Sequence, residues 1–349
     1  MSDIRWGILG TARIATKVAE AIHNASGSQL VGIASRDENR ASQWAAEHDV
    51  AKTYGSYQSL LDDDDIDAIY IPLPPSMHHE WSIAAAERGK HILCEKPVAL
   101  NANEVAEMTS ACRQHNVQFM DGVMWVHHPR TRDMKADLTS GKLGELARLT
   151  SGFSFRMETY LQNNSMFSQR GNPPKTLDEA QPTELRLQRD MGGGSLLDLG
   201  WYCCRASLWA FDELPQRVWA SGRYVYDVDL SFSAVMWFNG DRMASFDCGF
   251  DKAWRKWMEI VGTEGSLVCD DFVNPWQTDK PRYWLHDQRG QGNEVVSAAD
   301  VQEQLMVEHF TQAIVSGELN SDWPDIAWRT QRLCEALDQS ARSGDIVEL

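Results

Sequence analysis

Up to about residue 124, short apolar runs alternate with longer stretches whose apolar positions recur at helical spacing. The runs Arg5–Leu9, Leu30–Ala34, Ala68–Ile71, His91–Cys94 and Gln118–Asp121 predict strands. Ile14–Ile22, Glu38–Glu47, Met77–Arg88 and Ala102–Gln114 predict the helices between them. Such alternation implies βαβ units and a parallel sheet. Beyond Trp125 the rhythm changes. Pro129–Ser140 reads as a helix, Glu145–Phe155 as a strand, and Glu158–Asp190 as a polar segment with little periodicity. The turn Gly192-Gly193-Gly194 opens a helix running to about Ala210. Arg217–Val225, Leu230–Phe238, Met243–Cys248, Trp257–Val261 and Ser266–Cys269 then predict an antiparallel meander. Helices near Val301–Val315 and Ile326–Ser343 close the chain. The expected organisation is a doubly wound α/β domain over residues 1–124. It is followed by an α+β domain over 125–349, with a large, mainly antiparallel open sheet and closing helices that pack back toward the first domain.

Composition narrows the classes of function. The 349 residues are 43% hydrophobic and 24% charged, an ordinary globular balance. A net charge of −17 argues against duplex nucleic acid and anionic membrane surfaces as partners. No apolar run approaches the roughly 18 residues of a membrane span. The strand pattern starts so early that no secretory leader is expected, which points to the cytoplasm. The seven cysteines include no Cys-x-x-Cys pair, and Cys203-Cys204 read as small buried hydrophobes on a helix. The acidic run Asp62–Asp65 lacks the spacing of a calcium loop and reads as a solvated turn. No metal site is expected.

Three stretches carry candidate chemistry. Between the first strand and first helix lies Trp6-Gly7-Ile8-Leu9-Gly10-Thr11-Ala12-Arg13-Ile14-Ala15, the context of a dinucleotide-binding turn. Gly10 takes the tight-turn position and Ala12 and Ala15 the second and third, the third being permitted. The second strand ends at Ser35-Arg36-Asp37, about 25 residues further on, where a ribose is met. A small hydroxyl followed by Arg36 and Arg40 predicts a 2′-phosphate and hence NADP, with Asp37 capping the next helix. NAD, with Asp37 on a free ribose, is the alternative. Glu95-Lys96-Pro97 then sets a lysine at a strand's carboxyl end, where ligands bind in open α/β sheets. In the second half, Asp198 and Tyr202 are four residues apart and share a face of a helix. A lysine, an aspartate and a tyrosine form a workable acid/base set, since a nearby ammonium lowers the pKa of a phenol.

Together, Gly7 to Ala15, Glu95-Lys96-Pro97 and Gly193-Gly194-Ser195-Leu196-Leu197-Asp198 make the chain resemble the glucose–fructose oxidoreductase/inositol dehydrogenase (Gfo/Idh/MocA) superfamily over essentially its whole length. Many members carry a histidine four residues after that aspartate. Tyr202 here is similar to the branch of glucose–fructose oxidoreductase, dimeric dihydrodiol dehydrogenase and NADP-dependent xylose dehydrogenase. The resemblance implies a Rossmann domain whose cofactor contacts are Gly10, Thr11, Ala12, Arg13, Ile14, Ser35, Arg36, Arg40, Pro72, Leu73, His78, Glu95 and Lys96. It implies catalysis by Lys96, Asp198 and Tyr202. Substrate would lie near Trp125, His127, His128, Arg186 and Trp201, although hinge packing is an equal reading of the two histidines. The expected activity is NADP-dependent hydride transfer to or from an aldose or related cyclic polyol. Oxidation of non-sugar dihydrodiols and a non-catalytic cofactor-sensing regulator are the alternatives. Nothing after Asp270 looks long enough to cover the open sheet face, so a homodimer or tetramer through that face is expected.

Overall fold

A computed structural model describes residues 3–163 and 176–349. The chain forms two compact units, one of Met1–His128 with Asp300–Trp328 and one of Pro129–Ala299 with Arg329–Leu349. The sequence expectation drew a single boundary near residue 124.

In the first unit the strands are β1 (Ile4–Leu9), β2 (Ser28–Ala34), β3 (Lys52–Tyr54), β4 (Ala68–Ile71), β5 (His91–Cys94) and β6 (Phe119–Asp121). All pair in parallel, in the order β3-β2-β1-β4-β5-β6. The order reverses between β1 and β4, so the crevice beyond their carboxyl ends is the place for a ligand. Helices α1 (Arg13–Asn24), α2 (Glu38–Glu47), α3 (Tyr57–Leu61), α4 (His78–Glu87) and α5 (Ala102–Gln114) connect the strands. β3 and α3 escaped the sequence reading because Lys52-Thr53-Tyr54 is short, polar and at a sheet edge. Its lysine also pairs with Asp63 and Asp65, while Arg5 holds Asp65 and Asp67 and Arg88 holds Asp62. The acidic run is thus tied to basic side chains instead of simply solvated. A late helix completes the core: Phe310 lies 5.3 Å from Trp6 between ring centroids, and Lys17 bonds Glu303 at 2.6 Å.

The second unit begins with α6 (Pro129–Thr139), β7 (Leu146–Arg156), α7 (Met157–Asn163) and α8 (Leu177–Ala180). Residues 164–175 of the polar segment lie outside the described residues. A π-helical turn over Leu196–Gly200 leads into α9 (Trp201–Phe211). The remaining strands are β8 (Arg217–Val225), β9 (Val228–Trp237), β10 (Met243–Gly249), β11 (Asp251–Gly262), β12 (Gly265–Cys269), β13 (Arg282–Asp287), β14 (Gly292–Val296) and β15 (Val347–Glu348). α10 (Gln302–Ser316) belongs to the first unit, and α11 (Asp322–Ser343) continues from the first into the second.

The nine-stranded order is β14-β13-β12-β11-β7-β10-β9-β8-β15. One continuous meander was expected; two are found. β10 and β11 are separated by Phe250 alone, yet β7 lies between them, parallel to β10 and antiparallel to β11. The backbone of buried Phe250 bonds to Leu230 and Met157, which seats the crossing over the end of β7. On one face, Ala220, Ala234, Phe246, Ser151, Met258 and Cys269 form a buried row. The opposite face carries Trp219, Val235, Ser245, Thr150, Glu259 and Val268 in a row that stays partly exposed. Cys203 and Cys204 are buried free thiols on α9, as their sequence implied.

Candidate active site

The phosphate turn is tight and its helix start lacks a side-chain cap. Gly10 has φ +97°, a conformation side chains resist, and a Cβ there would fall 2.9 Å from Leu73 Cδ2. α1 starts behind Ala12 with no side-chain cap and no acid in its first turn. Its amides and dipole therefore suit an anion. Ile14, 38% exposed, is an apolar side chain at that end, and Arg13 is exposed beside it. After β2, Ser35 is buried and its Oγ accepts from the Asp37 amide at 3.2 Å. Asp37 accepts from the amides of Asn39 and Arg40 at 3.0 and 3.2 Å, capping α2. Arg36 and Arg40 are exposed, and Arg40 Nη2 reaches the Thr11 carbonyl at 3.5 Å. Uncapped amides, a hydroxyl, two guanidiniums and an acid turned to its own helix fit a 2′-phosphorylated dinucleotide.

Two loops follow at the adjoining strand ends. After β4, Pro72 and Leu73 are buried. His78 is fully buried: its Nδ1 faces the carbonyls of Pro97 and Val98 at 3.0 and 3.1 Å, and its Nε2 that of Leu73 at 2.7 Å. Burial lowers its pKa to about 4, against the pull of those carbonyls. The ring therefore works behind the loop, tying the segment after β4 to the residues following Lys96. The Lys96–Pro97 peptide is cis, and Lys96 is half-buried. Its backbone N–H donates to Glu95 Oε2 at 3.1 Å, and the hydroxyl of fully buried Tyr70 donates to Oε1 at 2.6 Å. Burial raises the Glu95 pKa, which Tyr70 and Lys96 oppose. Tyr70 was missed in sequence because it stands mid-strand in an apolar run.

In the second unit, Asp198 lies within the π turn and Tyr202 in the first turn of α9. The expected continuous α-helix is therefore corrected at residues 196–200. π turns of this kind are frequent at functional sites. Arg186 Nε donates to Asp198 at 2.6 Å and its Nη1 to Glu184 at 3.0 Å, with the guanidinium 5.2 Å from the Tyr160 ring centre. Burial alone would lower the Arg186 pKa, but the two carboxylates outweigh it and raise the value. Arg186 thus holds the Asp198 carboxylate in place. Tyr202 is 6% exposed and packs against Phe153 at 5.5 Å between ring centroids. Trp201 is fully buried.

Behind this helix stands a residue that the sequence reading missed. Asp229 on β9 is buried, and its Oδ2 accepts from Ser195 Oγ at 2.6 Å and from the Leu196 amide at 2.7 Å. Gly194, at φ +112°, would place a Cβ 2.2 Å from Asp229 Oδ1. Burial pushes the Asp229 pKa up to about 7, although the bonds from Ser195 and Leu196 oppose it. Only the paired strand reveals this aspartate, since it lies far from the glycine turn in sequence.

The crossover residues belong to the first unit. Trp125 and His128 are buried, whereas His127 is half-buried and its Nδ1 lies 2.9 Å from that of His309 on α10. Lys96 belongs to the first unit; Asp198, Tyr202, Arg186 and Trp201 belong to the second. Among the described residues no cluster of His, Cys, Asp or Glu is arranged to hold a metal ion, and no helix is long and apolar enough to cross a membrane.

Comparison with known proteins identifies the lineage. Residues 4–123 match the family described as an oxidoreductase family with an NAD-binding Rossmann fold, and residues 131–268 match the GFO/IDH/MocA C-terminal domain. The chain is 33% identical to D-xylose 1-dehydrogenase (NADP(+)) 2 of Haloferax volcanii over 99% of both chains. It is 29% identical to trans-1,2-dihydrobenzene-1,2-diol dehydrogenase of Xenopus laevis over 77% of this chain and 76% of that one. A crystal structure of a 3-ketoreductase from Actinomadura kijaniata with NADP and TDP-benzene superposes with a TM-score of 0.85 at 27% identity, covering 97% of this chain and 98% of the other. The chain belongs to the Gfo/Idh/MocA family of oxidoreductases.

Proposed function

We propose that the chain is an NADP-dependent dehydrogenase or reductase whose substrate is an aldose or a related cyclic polyol. The observation that carries this reading is 33% identity to an NADP-dependent xylose dehydrogenase over nearly all of both chains. The residue-level geometry agrees with it. The acid that would compete with a 2′-phosphate is spent on capping α2, while Arg36 and Arg40 remain at the surface.

The amides after Gly10 would hold the pyrophosphate, and Ser35, Arg36 and Arg40 the 2′-phosphate. When bound, the nicotinamide supplies the hydride acceptor or donor. Tyr202 takes the proton of the reacting hydroxyl at its Oη, and Lys96 is the cation assigned to the same acid/base set. Asp198, held by Arg186, fixes the orientation of the tyrosine or of a substrate hydroxyl. Glu95, anchored by Tyr70, sets the backbone of Lys96 and does not touch substrate. The half-exposed row on the nine-stranded sheet supports a homodimer through that face. Sedimentation as a monomer would remove that part of the proposal.

A panel of aldoses, polyols and dihydrodiols with NADP⁺, followed by absorbance of the reduced cofactor, tests the assignment. Turnover of aldoses is expected. Turnover of dihydrodiols alone would move the chain toward its diol dehydrogenase relatives, and no turnover on any of them would sink the sugar reading.

A further inference from the structure

We propose that Asp229 is a positioning residue for catalysis: from β9 it grips the start of the π turn through Ser195 Oγ and the Leu196 amide, and so sets Asp198 and Tyr202. This rests on the reading of Tyr202 as the acid/base.

Three observations converge on it. The π turn has no side-chain cap of its own from Ser195, whose hydroxyl instead points back to the sheet. The Leu196 amide, one of the donors a helix start leaves unpaired, donates to the same carboxylate oxygen. Ser195, Leu196 and Asp229 are all buried, so loss of the acceptor leaves buried donors uncompensated. The Asp198 amide then bonds the Gly194 carbonyl at 3.2 Å, within the stretch that Asp229 fixes. A shift of the turn would pass to Asp198 two residues on and to Tyr202 one turn further.

The carboxylate also titrates near neutrality. The groups facing it are Ser195 on the turn, Cys248 on β10, Tyr224 on β8 and Asp338 on α11. Arg189, 3.8 Å from Asp338, tempers that last charge. As pH rises through about 7 Asp229 becomes a carboxylate, and its bond to the helix amide becomes charge-assisted and tighter.

The test compares Asp229→Ala, Asp229→Asn and Tyr202→Phe in the full chain, reading kcat, the Kd for NADP⁺ and the pH profile. Asp229→Ala should lower kcat by about tenfold or more with an unchanged Kd, because cofactor contacts lie on other residues. Asp229→Asn keeps an acceptor for Leu196 and should recover most of the rate near pH 6. The ratio of wild-type to Asp229→Asn rates should rise through an inflection near pH 7, where the parent carboxylate ionises. If Asp229→Ala does not fold, that ratio still decides. A ratio flat with pH, or a kcat for Asp229→Ala within about twofold of the parent, would overturn the proposal. An active Tyr202→Phe enzyme would instead overturn the reading on which it rests, and an inactive one upholds it.

Discussion

Two carboxylates, one half-buried and one buried, stand behind the two elements proposed to carry the chemistry, and they are built differently. Glu95 adjoins Lys96 in the chain and is held by a phenol from the neighbouring strand β4. Asp229 reaches the Asp198 helix only through strand pairing and is held by a hydroxyl and a helix amide. Burial raises the pKa of both. The Glu95–Lys96 half of the strand-end device is local, so a short motif encodes it, whereas its Tyr70 anchor arrives from a strand 25 residues earlier. The helix device is tertiary, so its parts are scattered and no local motif contains them.

The largest expected effect falls on the local device. Lys96→Ala should lower kcat by about two orders of magnitude or more while leaving the Kd for NADP⁺ within a few-fold. Stopped-flow turnover and cofactor fluorescence titration measure the two. Unchanged turnover would remove Lys96 from the chemistry and leave Glu95 a purely structural acid.

The same contrast explains what could be read from sequence. The helix spans Glu38–Glu47 and Ala102–Gln114 match the structure because their caps, Asp37 and Asn101, are adjacent in the chain. Asp37 as a cap was likewise legible, since an aspartate before a helix has a local use for its lone pairs. The π turn was not, because Asp198 and Tyr202 at four-residue spacing satisfy an α pattern equally well. β7 between β10 and β11 was invisible because strand order depends on pairing that no period reports. β13 and β14 were missed where Trp284, Leu285 and His286 alternate weakly beside polar turns.

Next in size is Gly194→Ala. A Cβ 2.2 Å from Asp229 Oδ1, on a residue at φ +112°, forces the turn off its anchor. Destabilisation of about 2–4 kcal/mol is expected, from strain plus a disturbed buried bond. Chemical denaturation measures it. A variant within about 0.5 kcal/mol of the parent would show that the glycine turn does not need Asp229 so close.

Acid–base linkage separates the two carboxylates further. A carboxyl with a native pKa above its unfolded value binds more protons when folded, so its contribution favours folding at low pH and declines as pH rises. For Asp229 the decline runs from about pH 4 to about pH 7. Thermal melts of Asp229→Asn should accordingly lose less stability than the parent between pH 5 and about pH 8. Tyr70→Phe acts in the opposite sense on Glu95, because the lost bond is one that held its pKa down. It should cost about 1–2 kcal/mol and steepen the fall with pH. Identical pH slopes for Tyr70→Phe and the parent would mean that Glu95 does not titrate with folding.

The smallest effect tests the cofactor end of the first unit. Arg36 is exposed at the end of β2, so its contact with a 2′-phosphate is partly screened by solvent and salt. Arg36→Ala should weaken NADP⁺ binding by roughly tenfold, as one charge-assisted pair of about 1–2 kcal/mol is lost, and leave NAD⁺ binding unchanged. Raising the salt concentration should narrow the gap between NADP⁺ and NAD⁺ more for the parent than for the variant, which keeps Arg40 alone. Equal weakening toward both dinucleotides would place Arg36 on a shared part of the cofactor. In that case Arg40, already beside Thr11 of the phosphate turn, becomes the residue to test for the 2′-phosphate.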